Sequence, residues 1–115
     1  MNIAILRRPE QVERIRIYPG TSDPAAVSVK YLNDQERQQV SEIAEQLISE
    51  GRDREEAHRL AFGRVAVKGF EGIYDGEEEM QFRGDSVDFL MLHARDFRST
   101  VLTAATTLQR AVEKN

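Results

Sequence analysis

The sequence predicts an α+β fold that is predominantly α-helical: an N-terminal β-hairpin, then an αα-hairpin, a short helix and a C-terminal helix. Three observations lead there. Apolar and charged residues alternate on either side of a turn-rich break within 12–31, the period of half-buried strands. Two start signals, Asn33 with Glu36 and Asp53 with Glu56, each precede an amphipathic stretch of helical spacing. Near the C-terminus, Phe97, Val101, Ala104, Ala105, Leu108 and Val112 make one apolar stripe.

The elements follow in order. Ile15 and Ile17 fall on one side of the first strand, and Arg14 and Arg16 on the other. Pro19 to Pro24 is dense turn chemistry, and Val27 and Val29 resume the alternation up to Tyr31. A hairpin alone is marginal, so it must pack on the helices or pair with another chain through its exposed edge. The first helix, opened by Asn33, buries Val40, Ile43, Ala44 and Leu47 and stops at Gly51. The second, over 53–67, turns Ala57, Leu60, Ala61 and Val65 inward and leaves Phe62 off the main stripe, either at its margin or exposed. Their short link makes them an antiparallel pair.

Phe70 then stands between Gly69 and Gly72, glycines free to adopt the positive φ values of a chain reversal. Across the Asp75-Gly76 turn, Met80-Gln81-Phe82 is expected to pair with Ile73-Tyr74. Glu77, Glu78 and Glu79, poor strand formers, are left to a surface loop. Asp85 or Ser86 caps a short helix holding Val87, Phe89, Leu90 and His93, and Asp96 begins the last helix. The far face of that helix is small and hydroxylated: Ser99, Thr100, Thr103, Thr106 and Thr107.

The 115 residues suit one domain, with 1–11 as a flexible lead-in, 12–31 as the hairpin and 33–114 as the helical body. A composition of 40% hydrophobic and 31% charged residues excludes wholesale disorder. The absence of cysteine excludes a disulfide scaffold, a thiolate zinc site and a cysteine nucleophile. No apolar run approaches the roughly 20 residues of a membrane span, and Ile3 to Leu6 is too short for a signal segment. A soluble intracellular protein with no membrane partner is expected. The mild net charge of −4 is unevenly spread. Residues 1–31 lean basic and residues 71–88 lean acidic, a polarity suited to head-to-tail association or a basic partner.

Catalytic patterns are missing. Glu55 and His58 have metal-ligand spacing on one helix face, but Leu90 stands where a second Glu-x-x-His would need its carboxylate before His93. There is no serine elbow, phosphate loop or dinucleotide fingerprint. Arg14, Arg16 and Lys30 beside Tyr18 and Tyr31 have the chemistry to hold nucleic acid, which the acidic net charge disfavours. The expectation is a non-enzymatic protein without cofactor, metal or nucleic-acid partner.

The run His58-Arg59-Leu60-Ala61-Phe62-Gly63-Arg64-Val65-Ala66-Val67-Lys68-Gly69-Phe70-Glu71-Gly72-Ile73 resembles the small tail assembly chaperones of long-tailed bacteriophages and prophages. These carry a helix ending in an aromatic-x-Gly-hydrophobic turn. A turn, a short extended piece, a capped helix with an aromatic and a final helix follow, the order of Tyr74-Asp75-Gly76, Met80-Gln81-Phe82, residues 85–92 and Asp96-Phe97-Arg98. Phe70 is a departure: tryptophan is frequent there, so the anchor is kept and an indole donor lost. The resemblance implies a cytoplasmic assembly factor of the bacterial host that coats the tape measure protein until major tail tube subunits displace it; the charge polarity and the hairpin edge allow a homo-oligomer beside it. Phe62, Phe70, Phe82 and Phe89 are then the candidate protein-binding residues, although Phe89, on an apolar helix face, fits core packing better. The alternative is a structural tail subunit, such as a terminator or connector protein, assembling through the hairpin edge.

Overall fold

The computed structural model describes residues 12–17 and 25–113, with side chains through residue 111. The lead-in over 1–11, Tyr18 and the turn over 19–24, the side chain of Val112 on the last stripe and residues 114–115 lie outside what is described. The fold is α+β. Strands β1 (Val12–Ile17) and β2 (Ala25–Lys30) precede helices α1 (Asp34–Ser49) and α2 (Arg54–Ala66). Strand β3 (Val67–Glu71) and the short strands β4 (Tyr74–Asp75) and β5 (Glu78–Glu79) follow, then α3 (Gly84–His93) and α4 (Arg95–Glu113).

The expected hairpin is part of a three-stranded antiparallel sheet of order β1-β2-β3. Residues 67–71, expected as a reversal after the second helix, are its third strand. Val67 ends α2, its N–H still bonded to the Gly63 carbonyl, and already has extended φ and ψ. Helix therefore becomes strand with no intervening loop. Gly69 does not take a positive φ, whereas Gly72 and Gly76 do, at 76° and 66°. Gly69 instead pairs with Ser28, and the register slips by one residue before Val67 meets Val29. Lys68 is the extra residue of this β-bulge. The slip has a packing consequence. Residues three apart normally face opposite sides of a strand, yet Val67 and Phe70 both pack into the core, beside their partners Val29 and Val27.

Helix ends follow local chemistry where the sequence carries it. Asn33 Oδ1 accepts from the Glu36 N–H at 2.8 Å, and Glu36 Oε1 accepts from the Asn33 N–H at 3.2 Å, a complete capping box. Glu36 also binds Lys30, which ties β2 to the start of α1. Gly51, at φ 100°, closes α1. Its N–H bonds the Ile48 carbonyl and that of Arg52 bonds Leu47, each at 3.0 Å, the paired bonds of a Schellman end. Asp53 caps α2 through the Glu55 and Glu56 amides. Helix α3 starts earlier than expected, with no side-chain cap, so Asp85 and Ser86 lie inside it and Ser86 is buried. Arg98 of α4 donates to the Met91 and Leu92 carbonyls at 3.1 and 3.3 Å and so satisfies the open end of α3.

Two apolar clusters result. One lies between the sheet, α3, α4 and the end of α2, with Phe97, Val101, Met91 and Val27 almost wholly buried. The other joins α1 to α2 through Ala44, Leu47, Ala57, Leu60 and Ala61. Helices α2 and α3 approach so closely that a β-carbon at Gly63 would lie 2.5 Å from Met91 Cγ and 3.3 Å from Val87 Cγ1. Beside that contact, the Arg64 fork binds Asp88 at 3.1 and 2.9 Å. Hydrogen bonding to Asp88 is the main cause that raises the Arg64 pKa, and burial works against it. With its folded pKa above the ordinary arginine value, Arg64 contributes this stability throughout the neutral range and loses it only as pH climbs past that raised pKa.

Gly63→Ala tests the close approach. Alanine favours a helix by about 1 kcal/mol, whereas overpacking a fixed core costs about 1–3 kcal/mol. The Met91 Cγ clash lies at the root of a buried side chain, so urea denaturation should show a net loss of about 1 kcal/mol. A gain of stability would mean that α3 shifts freely from α2.

Candidate functional site

Three phenylalanine rings run from the core to the surface. Phe97 is 1% exposed. Phe70, half-buried, meets it edge to face at 6.0 Å, and Phe82 meets Phe70 at 5.7 Å with planes 83° apart. These separations and angles are those aromatic pairs favour. Phe82 is 46% exposed, so the last ring of the series presents an apolar face to solvent while its inner edge is braced.

The β4–β5 hairpin lies in the chain between the last two rings. Ile73 and Met80 are half-buried and pack against the main core, and the Met80 N–H bonds the Ile73 carbonyl at 2.7 Å. The hairpin is therefore held at its base. Its expected register was wrong: Glu78 and Glu79 form the second strand in place of Met80 to Phe82. Gly76, at φ 66°, allows a two-residue turn with Glu77, and that turn sets Asp75 against Glu78 and Tyr74 against Glu79. Turn geometry here overrides the poor strand propensity of glutamate. Glu79 also accepts from the Gly72 N–H at 3.2 Å. Tyr74, Asp75, Glu77, Glu78 and Glu79 are all exposed, Tyr74 by 56%.

Of the four candidate residues, Phe70 and Phe82 are brought together. Phe62, favoured among the four for partner contact because it falls off the main stripe, is half-buried and packs against the main core from α2. Phe89 corrects the expectation of core packing, being 54% exposed. With α3 starting at Gly84, its inner stripe is Ser86, Val87, Leu90 and Met91, which turns Phe89 away. Its ring lies 4.9 Å from that of His93 with the planes tilted by 51°, and His93 is likewise exposed instead of inward-facing. Among the described residues, no ring contact links Phe62 or Phe89 to the Phe97–Phe70–Phe82 series. Tyr74 was not singled out from the sequence. Its neighbour Ile73 was the available signal, since extended chain that turns Ile73 inward turns Tyr74 out.

Other groups are occupied or scattered. Glu55 lies 3.9 Å from Arg59, and His58 is exposed. Among the described residues, no three of His, Asp or Glu lie together as a metal site would need. The hydroxylated face of α4 lines an open groove of about 470 Å³ against β1, bounded by Ile15, Arg16, Thr100, Thr103 and Thr107. No helix among the described residues is long and apolar enough to cross a membrane.

Fold and surface together define a small α+β domain that presents a braced aromatic step beside an acidic hairpin. Comparison with family models, curated proteins and solved structures yields no match for the chain.

The ring series separates anchor from surface. Phe97→Ala should lose about 3–5 kcal/mol of unfolding free energy, the usual cost of truncating a buried phenylalanine. Phe82→Ala should lose about 1 kcal/mol, the scale of one aromatic pair. Equal losses in urea titrations would place Phe82 in the core and not on a contact surface.

Proposed function

We propose that this chain is a tail assembly chaperone of a long-tailed bacteriophage or prophage, a non-enzymatic factor that holds the tape measure protein in the host cytoplasm. The order of motifs from His58 to Arg98, which resembles that family, supports the reading. The observation that carries it to a surface is Phe82, a large ring held by Phe70 yet half exposed. A long helical protein awaiting assembly exposes apolar stripes, and an aromatic step of this kind covers such a stripe through side-chain contact. Release to the tail tube protein requires moderate affinity, which a small apolar surface provides.

Co-expression with the tape measure protein of the same genome is the test. Co-elution on size exclusion, with rescue of an otherwise insoluble partner, is expected. Phe82→Ala should reduce the recovered complex several-fold without unfolding the chain, since contact rings at the centre of an interface contribute about 2 kcal/mol or more. A tape measure protein that stays soluble alone and ignores this chain would overturn the proposal. Recovery of the chain from purified particles would replace it with the structural tail-subunit reading.

A further inference from the structure

Asp75 and Glu78 stand directly opposite each other in the β4–β5 ladder, with Glu77 in the turn beside them. Like charges at that position destabilise a hairpin, and a two-stranded hairpin has little stability to spare. Several carboxylates that tie elements together are paired: Glu71 with Arg14, Glu36 with Lys30 and Asp88 with Arg64. Among the described residues, Asp75, Glu77 and Glu78 have no cation beside them. The hairpin tip thus holds a charge arrangement that the free fold does not resolve. It lies on the segment that ends in the exposed Phe82 ring.

We infer that the hairpin tip and Phe82 form one docking surface for a basic amphipathic α-helix. A lysine or arginine flank of that helix neutralises the Asp75–Glu78 pair, and its apolar stripe covers Phe82. The inference rests on the partner-binding reading above and names the chemistry of the partner. A helix fits for two reasons. Strands of two residues are too short to be extended by an added strand. The four residue steps from Glu78 to Phe82 span at most about 13 Å of extended chain, which about two and a half helical turns cover. An amphipathic helix places charge and apolar side chains along that length at fixed spacing. Phosphate backbones are repelled by the same carboxylates.

Three synthetic helical peptides test this, sharing one leucine stripe but carrying lysine-arginine, glutamine or glutamate flanks. Binding to the full chain is read by fluorescence anisotropy at 0.1 M and 1 M salt, where screening lengths are about 10 Å and about 3 Å. The basic peptide should bind about tenfold tighter than the glutamine peptide at low salt, with the gap closing at high salt. The variant Glu77→Gln/Glu78→Gln should erase that preference while raising the melting temperature of the free chain, a combination a purely structural role would not give. Phe82→Ala should weaken the basic and glutamine peptides alike. Equal affinity for all three peptides, a preference that survives the double variant, or no binding at all would overturn the inference. So would self-association of the free chain on size exclusion that Glu77→Gln/Glu78→Gln or Phe82→Ala abolishes, which would make a second copy the occupant. Any of these beside intact co-elution with the tape measure protein would remove the basic-helix chemistry and leave the chaperone reading in place. Loss of co-elution would remove that reading itself.

Discussion

The pairing of β3 with β2 is the constraint on which the rest of the structure depends. Without it, β2 would be an edge strand of a hairpin too small to be stable alone. With it, Val27 lies between Ile15 and Phe70, in the middle of a sheet that α4 covers. Because Val67 is both the end of α2 and the start of β3, the pairing also fixes where the αα-hairpin sits relative to the sheet. The bulge at Lys68 completes the arrangement by turning Val67 and Phe70 to the same side. Phe70 then reaches Phe97 below it and Phe82 beside it. One backbone register thus joins the two halves of the fold and positions the exposed ring.

What was legible in the sequence was what local chemistry decides. Asn33, Glu36, Asp53 and Gly51 act within a turn or two of the chain, and their side-chain chemistry marks helix ends whatever packs around them. The stripe of α4 was readable because one helix face meets one core. The strand at 67–71 was hidden by its own irregularity. A bulge breaks the alternation by which strands are recognised, and Gly69 reads as a breaker. Phe89 failed for a related reason. A helix with no capping side chain gives no phase, and a start displaced to Gly84 assigns the stripe to Leu90 and Met91. The candidate surface was half readable. Phe70 and Phe82 were identifiable as large apolar groups among flexible residues, but their contact depends on β3 and on the turn at Gly76, which no single stretch encodes.

The same turn links structure to partner chemistry. A two-residue turn with Gly76 at its first position leaves no choice of register, so Asp75 and Glu78 are forced into opposition once the hairpin closes. The hairpin closes nonetheless because Ile73 and Met80 are packed on the core at its base. Core packing therefore holds a charge arrangement that the hairpin would relax if free. Folded sequences are otherwise consistent across levels, and local conflicts that persist collect at functional sites. Here two conflicts coincide in one short segment: carboxylates without cations and an apolar ring without cover. A surface that was merely solvated would require neither the brace from Phe70 nor like charges set face to face. Both are relieved by a single ligand that is positive along one edge and apolar along the next, and a basic amphipathic helix has that form.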